Sequence, residues 1–419
     1  MAPAERKKIL HRIADRIEAH HAELAVLGVR DNGTEIAMAW KAEPGSAATT
    51  FRYYAECVDK INGKIAPTAE GTLGLIHREP VGVVAAVVHC YFPLMIGAWK
   101  IAPALAAGIT VVLKPSEDAS LPLLRLAQLC LEAGLPEGVL NVLIGSGAEA
   151  GAALARHMDL DILSFTGSAA VGRILLVASA ASNLKRVYKS WVANRPTSCL
   201  RMRRTARAAR VSAMGIYRNS GQVCVAGTRL LVQRSVHDEF VERLQTIAQT
   251  LCVGDPLDTT TEIGAVSSVR RLQKNPAAVE AAQAAGARSR AGGQALQPVA
   301  GGSHMAPTLF DQVHPDMALA REEVFGPLLA VLPFDDEADA VHLANDSDYG
   351  LASVVWTANL SRAHRMVLAI KASVVHINTY GGADLTVPLG GGRQSGNGHD
   401  KSLHALDKYQ DRKTAWIQL

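Results

Sequence analysis

Val81-Gly82-Val83-Val84-Ala85-Ala86-Val87-Val88, then the apolar run from Leu94 to Ala107, then Thr110-Val111-Val112-Leu113, set the architecture of this chain. The first segment is β-branched and apolar throughout, as in a strand buried on both faces. The second has the length of a helix, and the third is again a short buried strand. Strand, helix and strand in that order make the βαβ unit of a parallel sheet.

The same rhythm continues outward. Leu123 to Ala133 is helical. A strand from Leu140 to Ile144 leads through Gly145-Ser146-Gly147-Ala148-Glu149-Ala150-Gly151 into a helix, and a strand from Ile162 to Phe165 leads through Thr166-Gly167-Ser168 into another. Such turns present backbone N–H groups and a helix N-terminus to a phosphate. The first lacks the GxGxxG spacing, and either could be no more than a tight turn. From Arg229 the alternation resumes, with a helix around Asp238 to Ala248 and further βα units to Ile370, which predicts a second α/β domain. At the front, Ile9, Leu10, Ile13 and Ile17 mark an amphipathic helix without a leading strand, so the opening reads as truncated. Gly63 to His77 and Lys413 to Leu419 read as isolated strands with nothing nearby to pair with, of the kind that pairs across a subunit interface.

With 419 residues, 48% hydrophobic and 20% charged, the chain has the composition of a soluble globular protein of two or three domains. It has no signal peptide, no apolar run of membrane-spanning length and six scattered cysteines, which predicts a reducing cytoplasm. The net charge of +4 comes from one place: Lys185 to Arg210 holds nine basic residues and no acid, leaving the remainder net negative. That segment has no interleaved aromatic residues and interrupts an enzyme-like chain, so neither nucleic acid nor membrane is expected as a partner.

Chemistry concentrates at Asn219-Ser220-Gly221-Gln222-Val223-Cys224, a glycine-loosened loop ahead of an apolar stretch, the setting in which a cysteine becomes a covalent nucleophile. The bland alternative is a buried cysteine acting as a small hydrophobe. His89 and Cys90 do not make a metal site, because adjacent side chains on a strand point to opposite faces and no further ligands follow.

Seven motifs occur in register: REPVGVV (78–84), FP followed by AWK (92–100), LKPSE (113–117), FTGS with Val171-Gly172 (165–172), GQVC (221–224), EEVFGP (322–327) and PLGGGRQSGNG (388–398). In order and spacing they resemble the NAD(P)-dependent aldehyde dehydrogenase superfamily. The ending GNGHDKSLHALDKYQDRKTAWIQL is similar to the subgroup acting on γ-glutamyl-γ-aminobutyraldehyde and related aminoaldehydes.

The resemblance implies an α/β fold with a parallel-sheet NAD-binding domain (1–62 and 81–192, its first part missing), an α/β catalytic domain (193–405) and a small oligomerisation strand element (63–80 and 406–419). It implies NAD, with NADP as an alternative, a small aldehyde substrate, and a homodimer or homotetramer. Cys224 would attack the aldehyde. Lys114, Ser116 and Glu117 would lie at the adenosine ribose, where a carboxylate disfavours a 2′-phosphate. Gly167 and Ser168 would face the pyrophosphate, Glu323 would hold the nicotinamide ribose, and Phe325 would pack beside the ring.

The chain also departs from the family. The family's Pro-Trp-Asn aligns with His89-Cys90-Tyr91, so Tyr91 replaces the asparagine whose amide stabilises the oxyanion, and a phenol there would push into the substrate tunnel. The family's Leu-Glu-Leu-Gly-Gly-Lys-Ser-Pro aligns with Lys189 to Pro196, so Ser190 stands where the glutamate general base belongs. Legal codons for Val187 to Cys199, read from the last base of the valine codon, give Leu-Gln-Glu-Leu-Gly-Gly-Lys-Ser-Pro-Asn-Ile-Val, the missing motif. Residues 188 to about 211 therefore read as translated out of frame between compensating shifts, and as an arginine-rich stretch where a buried strand belongs they are expected to be disordered or poorly packed. Two alternatives follow: an inactive paralogue or pseudogene product retaining NAD binding or oligomerisation, and a thioesterase-like or aldehyde-trapping protein.

Overall fold

The computed structural model describes residues 1–191, 196–199, 205–381 and 384–419. Its first sheet is the parallel one that the Val81–Val88 segment predicts. Five strands lie in the order Leu140–Val142, Thr110–Lys114, Val83–Val87, Ile162–Gly167, Arg186–Trp191, every neighbour parallel. The crossover helix Pro93–Ala107 is buried on all sides apart from Met95, which is why its sequence is apolar except at Lys100, whose ammonium pairs with the buried Asp400 at 3.3 Å. Pro3–Ala19 buries Ile9, Leu10, Ile13, Ala14 and Ile17 against this helix and against Pro44–Cys57.

A second sheet of seven strands runs Arg288–Ala291, Thr308–Asp311, Leu328–Phe334, Arg229–Gln233, Pro196–Cys199, Ala352–Trp356, Val374–Ile377, parallel apart from the first pair. No helix among the described residues is long and apolar enough to cross a membrane.

One expectation fails here. The terminal strands are not isolated: Gln410–Gln418 pairs antiparallel along the whole of Thr72–Pro80, which also pairs with Lys64–Ala66. Strands whose paired residues lie 330 (Pro80 and Gln410) to 346 (Thr72 and Gln418) positions apart in sequence meet in space, and strand pattern does not encode that pairing. The expectation of disorder or poor packing over 188 to about 211 falls in large part outside the described residues. Arg186–Trp191 and Pro196–Cys199 are strands of the two sheets, and Thr205–Tyr217 is a helix that buries Ala208, Ala209 and Ala213 while Arg207 and Arg210 face solvent. Helical periodicity thus spares those two arginines the cost of burial. Arg195, Arg201, Arg203 and Arg204 lie outside the described residues.

Charge ties the second sheet to its covering helix His237–Thr250. The buried His237 imidazole bridges Asp311 Oδ1 and Asp238 Oδ1, each at 2.9 Å, and Arg290 holds the other Asp311 oxygen at 3.2 Å. The hydrogen bond with Asp311 raises the His237 pKa above 6.5 against the opposing effect of burial. A raised folded-state pKa means that the stabilisation is complete below the unfolded value and is lost as pH rises through the folded one. We expect the melting temperature to fall as pH rises from about 6 to about 8, and H237Q to flatten that slope at a cost of roughly 1–3 kcal/mol, as read by thermal denaturation across pH.

Candidate active site

Because the five strands are parallel, the turns after Val87, Lys114, Val142 and Gly167 all emerge at one edge of the sheet. The chain runs from Val83–Val87 outward to one side, then crosses to Ile162–Gly167 on the other. That reversal opens a crevice between the turns beginning at Val88 and Ser168, where open α/β sheets bind ligands.

At this edge Lys114 is buried, donates to the Pro115 carbonyl at 2.7 Å and sits 3.5 Å from the Glu117 carboxylate. Burial raises the Glu117 carboxyl, but the amides of Glu117 and Gly147 and the Lys114 ammonium outweigh it, so the group titrates below its ordinary value. Ser116 Oγ accepts from the Asp118 amide at 3.3 Å. Ser168 caps the helix Ala169–Ala180 by accepting from the Val171 amide at 3.3 Å. Gly167 has no room for a side chain, since a Cβ would lie 2.4 Å from the Phe165 ring.

The Cys224 loop is strained and tied rather than loosened. Asn219, Ser220 and Gly221 are successive left-handed residues, with φ of 51°, 52° and 74°. A Cβ on Gly221 would meet the Gly326 carbonyl oxygen at 2.0 Å, so only glycine lets the loop lie against the Phe325-Gly326-Pro327 backbone. Gln222, itself buried, accepts from the Ser267 amide at 3.0 Å. Cys224 follows, half-buried. The buried Lys401 ammonium lies 5.3 Å from the Trp99 ring and within electrostatic reach of Asp384, Cys224 and Asp400.

Phe325, 4% exposed and at φ 57°, is walled in by aromatic and cationic groups. The Arg271 guanidinium lies 4.6 Å from its centroid, and the Tyr91 and His89 rings lie at 5.2 and 5.4 Å in edge-on contact. Tyr91 is thus turned into packing against Phe325 and is buried, rather than pushed into open space. His89 and Cys90 come together instead of diverging, because the strand ends at Val87 and strand alternation no longer applies. Arg271 Nη2 can only donate, so His89 Nε2 accepts at 3.0 Å and Nδ1 carries the proton toward Cys90 Sγ at 3.1 Å. Burial, with Arg271 alongside, holds the His89 pKa down to about 3. Burial likewise pushes the Cys90 thiol up, which keeps it protonated. No group of three or more metal-ligating side chains occurs among the described residues.

The structure therefore unites Lys114 with Glu117, Tyr91 with Phe325, and the Cys224 loop with the segment after Glu323. The side chain of Ser190 lies outside the described residues; its backbone pairs with Thr166 in the first sheet. Sequence reasoning missed Arg271, and also Thr34 and Glu35, whose bonds to the Cys224 loop cross more than 180 residues.

Three comparisons extend this geometry. A model of the aldehyde dehydrogenase family matches residues 1–415. The chain is 46% identical to the NADP/NAD-dependent aldehyde dehydrogenase PuuC of Escherichia coli K12, over 100% of this chain and 84% of that protein. Among solved structures, an indole-3-acetaldehyde dehydrogenase complexed with NAD+ superposes at a TM-score of 0.98 with 44% identity, and the γ-glutamyl-γ-aminobutyraldehyde dehydrogenase of Burkholderia cenocepacia J2315 at 0.97 with 44%. Each comparison covers 100% of this chain and 85% of the other.

Gly221→Ala should destabilise the fold by more than about 2 kcal/mol, whereas Gly147→Ala, which meets nothing within 4 Å, should change stability by less than about 0.5 kcal/mol. Urea denaturation of both variants reads the difference.

Proposed function

The chain belongs to the aldehyde dehydrogenase family, and from that premise we propose that it oxidises an aldehyde, an aminoaldehyde in particular, to a carboxylic acid through a covalent intermediate on Cys224. The observation that carries this reading is the seat of the Cys224 loop, held against Gly326 beside a crevice suited to a dinucleotide.

The residues present fit such a cofactor at its adenosine end. Lys114 and Glu117 offer a donor and an acceptor 3.5 Å apart for a ribose, and Ser168 with its helix N-terminus faces the same edge for the pyrophosphate. Glu117 is ionised and so favours NAD over NADP. Ser116 and Gly167 shape the two turns, while Glu323 and Phe325 border the nicotinamide end. When bound, NAD+ accepts a hydride from the carbon attached to Cys224.

The chain's own contribution begins with the Cys224 thiolate adding to the aldehyde carbon, which forms a C–S bond and leaves an alkoxide. The Lys401 charge favours that thiolate. Tyr91 stands where the oxyanion donor belongs, and loss of one such donor costs ~3 kcal/mol. After hydride loss a thioester remains, and water must displace the Cys224 thiolate. Ser190 occupies the position of the base for that step, and loss of a general base slows a reaction by roughly 10²- to 10⁴-fold.

This reading assigns a dinucleotide-binding part (1–62 and 81–192), a catalytic part (193–405) and an oligomerising sheet (63–80 and 406–419). Exposed Ile65 and Trp416 on that sheet favour assembly into a dimer or tetramer. A second reading, an inactive relative that only binds NAD, draws on Tyr91 and Ser190.

Rapid mixing with NAD+ and an aminoaldehyde should give a burst of NADH close to one per active site, followed by slow turnover, with both lost in C224S. Y91N should enlarge the burst rate by about 10²-fold. NAD+ binding without any NADH would establish the second reading instead.

A further inference from the structure

Three successive left-handed residues are costly, and two of them, Asn219 and Ser220, are not glycine. Such a conformation persists only where its surroundings impose it, and here the restraints come from an unexpected quarter. Thr34 Oγ1 donates to Asn219 Oδ1 at 2.7 Å, and Glu35 Oε1 accepts from the Asn219 amide at 3.0 Å. Asn219 Nδ2 in turn donates to the Gln222 carbonyl at 2.8 Å, which spans the strained residues, and Ser220 Oγ donates to the Gly264 carbonyl at 2.7 Å. Thr34 and Glu35 are 1% and 3% exposed. They are themselves fixed: the Thr34 amide donates to Asn32 Oδ1 at 2.9 Å, and Gly33, at φ 78°, packs so closely that a Cβ would lie 2.7 Å from Ala265.

We propose that Thr34 and Glu35 are positioning residues for the nucleophile, clamping Asn219 so that Cys224 presents its thiol to the crevice. The Glu35 carboxyl is buried, and burial works against its charged form while its own amide, the amides of Asn219 and Gly264 and the Arg218 charge favour it. A carboxyl in such a place is costly, so its presence beneath the loop marks a requirement for an acceptor at the Asn219 amide. The clamp joins the helical segment before the first sheet to the loop between the strands Pro196–Cys199 and Arg229–Gln233 of the second, which makes the reactivity of Cys224 depend on how these two parts are held together.

The inference rests on the proposed role of Cys224, and alkylation kinetics separate the two. Peptide mapping after timed iodoacetamide treatment follows Cys224, with the exposed Cys252 as an internal reference. In T34V, which keeps the shape but removes the donor, and in E35A, Cys224 should label about tenfold more slowly, while Cys252 labels at its original rate. T34S and E35Q keep a hydroxyl and an acceptor and should restore the rate. If E35A fails to fold, T34V against T34S decides alone. Labelling of Cys224 at an unchanged or faster rate in T34V, with Cys252 unchanged, overturns the clamp. Failure of an aldehyde to protect Cys224 in the unaltered chain would instead count against the nucleophile reading and leave the clamp standing.

Discussion

The approach of Gly221 to the Gly326 carbonyl is the contact on which the site depends. It leaves no space for a side chain, so the loop before Cys224 can lie only one way, flat on the backbone that carries Glu323 and Phe325. Phe325 in turn gathers Tyr91, His89 and Arg271 around its ring. One backbone-to-backbone contact therefore couples the proposed nucleophile, the proposed oxyanion position and the proposed nicotinamide end of the crevice. A shift in any of the three moves the others.

Much of this was legible in the sequence, for identifiable reasons. Buried parallel strands and a crossover helix that is apolar except at Lys100 leave a nearly continuous hydrophobic signature, and the strands at 83–87, 110–114 and 162–167 follow it closely. The Lys114–Glu117 and Cys224 motifs are local in sequence and were found as such. What failed was non-local. The partner of Gln410–Gln418 lies more than 300 residues upstream, and strand pattern alone does not identify a partner. Thr34 and Glu35 gave no periodic or motif signal, since their value lies in one hydrogen bond each to a distant residue. Arg271 lies in the helix Val269–Ala284, and nothing in its spacing signals its stacking on Phe325.

The departures from the family fall unevenly. In the proposed reading the Cys224 loop and the Lys114–Glu117 pair keep the residues the family uses, whereas Tyr91 and Ser190 stand at the proposed positions of the oxyanion donor and general base. Addition to the aldehyde is slowed at Tyr91 alone, whereas release of the acid is slowed at both Tyr91 and Ser190. A chain of this kind should load its nucleophile more readily than it clears it.

Intact-protein mass spectrometry with peptide mapping, after incubation with NAD+ and an aminoaldehyde, tests that imbalance most directly. The account predicts a persistent acyl mass on Cys224 in a large fraction of the protein. An unmodified Cys224, or an adduct on Cys90 in its place, would contradict it.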